Sequence, residues 1–561
     1  MRTRPAPRAM RYARVFSMMI GAQLVLNSCA AVGGAGYSGG GGGGFRDDRR
    51  LIGGFADVRG VGVSRRYVFA ATSSGISVYD RLFNTWLPPL ARGEGLEDGQ
   101  ITFMAGDPTE DAVWVGVPGA VIVYRPQGEQ VQRTPMIGVP EGIVFERTPG
   151  GDAYIRAAGQ WTRMSRVGMS SQVTQLPSAD KLMVPANLND VYARYPGLRN
   201  GSPLLLRSQQ SNRALRSYPV TSGAMATDQP SEVWLGTSGD GLYKVDAVMQ
   251  QATPVRYGLL ERGVGALALA ADGVWVAGLG LSQLRAGLSF ATNDLQRWRW
   301  IDGTIAVPML GVRAMSLSLW GSRAWIGTDR GVLRVQLDGT EEMASWNILD
   351  GLPDERAYAV AARADGVWVG TARGLVFITD TSERRNVRTR GIGVRLLDNT
   401  PVYALQPVGD TLWIGTDAGL LALPPSGALS RPVGNDPALR RRINAIAWSD
   451  TVLIAATDDA VLQLAPKGGA EPARLAAVDV RQVGQVTRVA IDARSIVVAG
   501  TDGVLVLSRA IAAVGGAPRL LRAPSDIPGP VLDLALGRDW LWLGTPVGLM
   551  RLRRSNDGGL P

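Results

Sequence analysis

Val367-Trp368-Val369-Gly370-Thr371-Ala372-Arg373-Gly374-Leu375 is a nine-residue pattern that returns along most of this chain. Three large apolar residues in a row suit a short strand buried on both faces, because a half-exposed strand would alternate apolar with polar. Leu412-Trp413-Ile414 repeats this opening, and Gly415-Thr416-Asp417-Ala418-Gly419 then supplies residues that accept positive φ or bond their own backbone, the chemistry of a tight turn. The segment after the turn does alternate: in Val332-Leu333-Arg334-Val335-Gln336-Leu337 the polar residues share one face. Each copy therefore predicts a β-hairpin, buried in its first strand and half exposed in its second.

Working outward from that hairpin, the buried aromatic position aligns as Phe69, Trp114, Tyr154, Tyr192, Trp234, Trp275, Trp325, Trp368, Trp413, Ile454, Val498 and Trp542. That is about twelve copies roughly 43 residues apart, the period of propeller blades with four strands each. A short apolar strand precedes each hairpin, as in Ala357-Tyr358-Ala359-Val360-Ala361, Thr400 to Leu405, Ile443 to Ala447 and Val531 to Leu536. The outermost strand is expected to hold Trp86, Trp300 or Trp346. A chain of 561 residues exceeds one ordinary hydrophobic core. The fold expected is all-β: tandem β-propellers of four-stranded antiparallel blades, most simply two six-bladed rings. The longest interval, Trp275 to Trp325, divides the copies six and six and places the junction near Trp298 to Ile301. This gives a first propeller over 45–299 and a second over 300–561, with a seven-plus-five division as the alternative. Ring closure needs an early strand to pair the last blade, and Leu51 to Val63 is available for it.

These residues carry a family resemblance. The order Gly351-Leu352-Pro353, Tyr358-Ala359-Val360, Asp365-Gly366-Val367-Trp368-Val369-Gly370-Thr371 and Gly374-Leu375 resembles the two-component regulator propeller repeat, and Gly95-Leu96 before Trp114 fits it too. The resemblance implies an extracytoplasmic propeller of the kind that forms the sensor half of membrane histidine kinases, often tuned to glycans. After Leu552 the sequence has no transmembrane or kinase segment, so it departs from the usual signalling arrangement.

Residues 1–28 read as a lipoprotein signal peptide: arginines up to Arg14, then the apolar run Val15 to Leu26, too short to span a bilayer. Leu26-Asn27-Ser28-Cys29 resembles a bacterial lipobox, and Cys29 is the only cysteine. Lipidation there implies two or three acyl chains, enough for stable anchoring. Residues 29–44 then form the lipidated cysteine and a Gly-rich tether. The tether holds Gly34-Ala35-Gly36-Tyr37-Ser38-Gly39, formally a dinucleotide fingerprint, but with no strand before it and no helix after it. The expected location is extracytoplasmic, at the outer membrane or the periplasmic face of the inner membrane; Ala30 after the cysteine favours the outer membrane.

Composition bounds the chemistry. The formal charge is +10, but Arg2, Arg4, Arg8, Arg11 and Arg14 fall in the expected leader, and the rest show no clustering of the kind nucleic acid needs. There is no histidine, which excludes Ser-His-Asp and Cys-His nucleophile systems, His-ligated metals and His general bases. No phosphate loop ending in Gly-Lys-Ser or Gly-Lys-Thr is present. No catalytic residues, cofactor or metal site are therefore expected. The acidic groups Glu94, Glu97, Asp98, Asp350, Asp354 and Glu355 leave room for a carboxylate pair, although as turn residues they need no chemistry to explain them.

Seven tryptophans occupy the repeated core position; Trp161, Trp298, Trp300 and Trp540 lie off it. Trp298 and Trp300, with the basic run Arg384, Arg385, Arg388 and Arg390, are the candidate interaction surface; Arg440-Arg441-Arg442 is a second basic run. The function expected is a membrane-anchored, non-catalytic scaffold or extrinsic subunit with protein partners in the membrane or periplasm. A glycan or small-ligand sensor and a His-independent glycan-active enzyme are the alternatives.

Overall fold

The repeated hairpin forms as its pattern dictates: in a computed structural model, Gly366–Thr371 and Gly374–Thr379 pair antiparallel with Val369 opposite Val376. The structure describes residues 49–560 except 92–100, 167, 200–217, 282–284, 304–308, 310, 341, 380–391, 431–435, 451, 466–472, 476–477 and 510–515. The expected leader, tether, Cys29 and the basic run with Arg384, Arg385, Arg388 and Arg390 lie outside the described residues.

Eleven sheets are seen among the described residues, nearly all of four antiparallel strands in chain order, which makes the fold an all-β assembly of propeller blades. Trp86, Trp300 and Trp346 stand on outermost strands as expected. In several hairpins the turn is built by a threonine. Thr328 Oγ1 accepts the Arg330 N–H (3.0 Å) and donates to the Gly331 carbonyl (2.8 Å), and Thr371, Thr416 and Thr545 repeat the donation at their own glycines. Gly331 closes the turn at φ 112°, and a Cβ there would lie 2.1 Å from the Trp346 carbonyl oxygen.

The order of the innermost strands sets the architecture. Val264–Ala270, Ala314–Trp320, Ala357–Arg363, Val402–Val408, Ala445–Ser449, Val486–Ile491 and Asp533–Leu536 pack side by side, and the last returns to the first. These seven sheets form a large ring. Its last sheet is completed on the outside by Arg49–Ile52, which pairs with Gly548–Arg553, Ile52 opposite Leu549. A closing strand is present as expected, but at Arg49–Ile52, which shares only Leu51 and Ile52 with the segment Leu51 to Val63, whose end Gly60–Val63 belongs to another sheet.

Between that closing strand and the first sheet of the large ring sits a smaller ring. Its inner strands are Gly60–Val63, Phe103–Gly106, Pro140–Glu146 and Val220–Met225, the last packing back against the first. The chain leaves and re-enters the large ring through paired linkers, Gly54 bridging Leu259 in parallel. Two expectations are corrected here. Tyr192 is not on a strand: Leu188–Arg194 is an α-helix, capped by Asn187 and Asp190, whose Val191 packs with Val233 and Leu235 of the neighbouring sheet. The six-and-six division at 299/300 also fails, because Trp298–Asp302 is the outer strand of the large ring's first sheet and a cut there would split that sheet.

Core packing follows the repeat. Phe69, Trp114, Trp234, Trp325, Ile454 and Trp542 are fully buried between adjacent sheets, and Trp368 alone among the aligned aromatics of the large ring is only partly buried. Each such ring removes most of its apolar surface from water, which is why the position repeats.

Candidate functional site

In an antiparallel blade the start of the inner strand and the threonine turn lie on the same side of the ring, so both contribute to one mouth. In the large ring this mouth gathers Arg356, Tyr358, Tyr403, Arg442 and Asn444 from three consecutive sheets. Tyr358 and Tyr403 stack at 5.3 Å with 31° between planes, and the Arg442 guanidinium lies over the Tyr403 ring at 4.1 Å. Tyr358 comes from the sheet before Tyr403 and Arg442 from the approach to the sheet after, so Tyr403 is held between them. Burial pushes the Tyr403 phenol above its ordinary pKa while Arg442 pulls it down, and Tyr358, Asp417 and Arg356 act on it electrostatically. The phenol stays protonated at neutral pH and available as a donor.

The remaining groups of the mouth differ in how far they are satisfied. Arg356 is paired with Asp354 (3.1 Å) and more than half exposed. Arg442 has a buried Nε without a hydrogen-bond partner. Asn444 is 6% exposed; its amide N–H donates to Asp458 (2.6 Å), and its Oδ1 is buried and unpartnered. Buried polar atoms without partners are uncommon and mark a place where water or a ligand atom belongs.

Elsewhere in the same ring a buried ion pair joins inner strands. Arg488 Nε donates to Asp533 (2.9 Å), and its Nη2 reaches the Met315 carbonyl (2.6 Å), three inner strands away around the ring. Asp533 also accepts the backbone N–H of Leu267 (2.8 Å) and of Leu534 (2.9 Å). Burial pushes the Asp533 carboxyl above the ordinary range, against the pull of Arg488 and those two N–H groups. The bridge ties four inner strands together.

Trp298 and Trp300, expected at an interaction surface, are instead consumed at the junction between the rings. Trp300 is 3% exposed and donates its indole N–H to the Gly258 carbonyl (2.9 Å). Trp298 lies edge-on to Tyr257 at 5.4 Å, and Tyr257 in turn contacts Trp86 and Phe55 at 4.7 and 5.0 Å. A polar clamp flanks these rings. Buried Arg285 donates to Asp240 (2.6 Å) of the small ring and Asp302 (2.9 Å) of the large one, and Tyr218 donates to the same Asp302 oxygen (3.0 Å). Gln296 completes the junction by exchanging two hydrogen bonds with the Trp86 backbone.

Sequence reasoning missed the tyrosine–arginine stack, the Arg488–Asp533 bridge and the Arg285 clamp, since each joins residues from different repeats. It also missed Glu261, which sits on the return linker and is 5% exposed. One of its oxygens accepts the Gly280 N–H (3.1 Å) and the other is unpartnered beside a small cavity lined by Ala286, Met309, Val312 and Ile326. Burial raises this carboxyl to about 7. Among the described residues no group of three or more Asp, Glu, Cys or His side chains is placed to hold a metal ion. Asp354 and Glu355 lie at the mouth's edge, Asp354 facing Arg356 rather than a second carboxylate; Glu94, Glu97 and Asp98 lie outside the described residues.

No protein-family model matches the chain, and no curated relative does. Solved structures do resemble it. PorZ, an essential surface component of the type-IX secretion system of Porphyromonas gingivalis, is 12% identical over 90% of this chain and 87% of that one, with a TM-score of 0.49. The extracellular domain of a putative one-component system of B. thetaiotaomicron is 13% identical over 88% of this chain and 75% of that one, with a TM-score of 0.27. A virginiamycin B lyase of Staphylococcus aureus is 11% identical over 52% of this chain and 96% of that one, with a TM-score of 0.39. At these identities the activities of those proteins stay with those proteins.

Proposed function

We propose that this protein is a membrane-anchored, extracytoplasmic binding module that holds a protein partner and performs no chemistry of its own. The observation that carries this reading is the construction of the large ring. Its inner strands are tied together by Arg488 and Asp533, and its last sheet is sealed by Arg49–Ile52, which leaves loop-built faces as the working surface. Rigid rings with loop-built faces serve recognition, because loops vary while the scaffold beneath them stays fixed. The export and lipobox pattern ending at Cys29, followed by the Gly-rich stretch to Gly44, supports tethering of this body to a bacterial membrane. The resemblance of the repeats to regulator propellers supports an extracytoplasmic setting.

The test is purification from native membranes in mild detergent through a tag at Pro561, after cross-linking. A fixed set of proteins recovered at constant ratio is the expected result, and recovery of the protein alone overturns the scaffold reading. Anchoring is read separately: Cys29→Ser moves the protein from the membrane pellet to the soluble fraction, and a variant that stays in the pellet refutes lipidation as the anchor.

A further inference from the structure

We propose that the mouth of the large ring is a carboxylate-binding site, in which Arg442 and the hydroxyls of Tyr358 and Tyr403 take the terminal or side-chain carboxylate of a partner polypeptide. The inference rests on the scaffold reading and specifies where the partner is gripped.

The geometry is that of a preorganised donor edge. Stacking on Tyr403 at 4.1 Å fixes the plane of the Arg442 guanidinium without using any of its N–H groups. Among the described residues no carboxylate pairs with Arg442, although the neighbouring Arg441 is paired with Asp459 at 2.5 Å. Its buried Nε has no acceptor. The Nε side is therefore closed, and the Nη1 and Nη2 groups, neither of which is among the buried atoms or has a partner among the described residues, present two parallel N–H groups, the arrangement that matches the two oxygens of a carboxylate. The stacked phenols, 5.3 Å apart, add two neutral donors beside it. Held flat in this way, the guanidinium loses little further freedom when it binds.

Asn444 decides the class of ligand. Its Oδ1 is an acceptor buried with no partner, two residues from Arg442, and its orientation is set by the hydrogen bond from its amide to Asp458. A simple carboxylate such as acetate offers only acceptors and would leave that oxygen unsatisfied. A peptide carries an N–H next to its carboxylate-bearing carbon, and so supplies the missing donor along with the charge. Asp417, which acts on Tyr403 from the same mouth, adds a second acceptor for a peptide N–H and disfavours ligands of high negative charge.

The test uses the full chain purified in detergent, with acetyl-Gly-Gly-Glu as probe, followed by calorimetry. Its amide-capped Gly-Gly-Gln counterpart, galacturonate and inorganic phosphate are the comparisons. The glutamate peptide is expected to bind saturably and at least about tenfold more tightly than the glutamine one, the scale of a charge-assisted hydrogen-bonded pair. Arg442→Gln is expected to weaken it at least about tenfold, Tyr358→Phe about threefold with the ring stack intact, and Arg441→Gln not at all. Equal binding of the two peptides, or unchanged binding in Arg442→Gln, overturns the site. Galacturonate or phosphate binding as tightly as the glutamate peptide overturns the assignment to polypeptide. Purification from membranes separates the two readings: a partner recovered equally with wild type and Arg442→Gln sinks this proposal and leaves the scaffold standing, whereas no partner with wild type sinks the scaffold.

Discussion

Arg488→Met is the most informative single perturbation of the large ring. Methionine keeps the length of the stem and removes the guanidinium, so the Asp533 carboxylate, 6% exposed, remains with only the Leu267 and Leu534 N–H groups for partners. Removing one partner of a buried pair costs about 3–5 kcal/mol, because the charge left behind is uncompensated. For a ring of roughly 300 residues the unfolding entropy is on the order of 0.6 kcal/mol/K, which converts that loss to a fall in melting temperature of about 5–8 °C. The sign of the pH dependence is fixed by the same residue. Burial already holds the Asp533 carboxyl above its unfolded value, and losing Arg488 raises it further. A carboxyl raised in the folded state stabilises the protein below its unfolded pKa, and that stability is lost as pH rises through the folded pKa. The variant is therefore expected to melt closer to wild type at pH 4 than at pH 8. Adding Asp533→Asn, which keeps an acceptor for Leu267 without the charge, recovers much of the loss at pH 8. The assay is tryptophan fluorescence against temperature at the two pH values. A variant as stable as wild type at pH 8, or equally destabilised at both, refutes the role given to the bridge.

Three further outcomes follow from residues already described. Gly331→Ala forces a side chain into φ 112° and against the Trp346 carbonyl, and is expected to cost more than about 1 kcal/mol by urea denaturation, where Gly339→Ala, with nothing within 4 Å of its Cβ, costs only the strain of its own φ of 101°. Glu261 is held near 7, so its contribution is greatest below the unfolded carboxyl pKa and falls away as pH rises through about 7. Glu261→Gln should flatten that slope, worth on the order of 3 kcal/mol across the window, as read by melting temperature from pH 4.5 to 8. Arg285→Ala leaves Asp240 and Asp302 facing each other across the ring junction and is expected to loosen it, seen as faster amide exchange in 256–263 while the sheets keep their protection.

What could be read in the sequence was whatever one repeat contains. The double-buried strand at Val367–Val369, the turn at Thr371–Gly374 and the outer-strand tryptophans all depend on neighbours within about 40 residues, so pattern and turn chemistry suffice for them. What could not be read depends on which inner strand lies beside which. Nothing in the spacing says that Val220–Met225 turns back to Gly60–Val63 while Val264–Ala270 goes on to Ala314–Trp320, and so the division into seven sheets and four was hidden. Tyr192 misled for a related reason: Val191 and Tyr192 have the apolar character of a strand core, but Asn187 and Asp190 form a capping box that starts a helix. Trp298 and Trp300 lie off the repeated core position, which suggests an exposed surface; they are instead packed at the junction of the two rings, a contact between distant repeats that spacing does not reveal.

The nesting of the small ring within the large one also sets a timetable. The strand Arg49–Ile52 is among the first to be synthesised, yet its partner Gly548–Arg553 follows roughly 500 residues later, and between them the small ring has every strand it needs within about 200. The small ring can therefore mature while the large one is still an open arc with an unpaired edge at each end. Completion is a single late event in which Arg49–Ile52 meets Gly548–Arg553, and clipping the last blade undoes at a stroke what the other six have assembled.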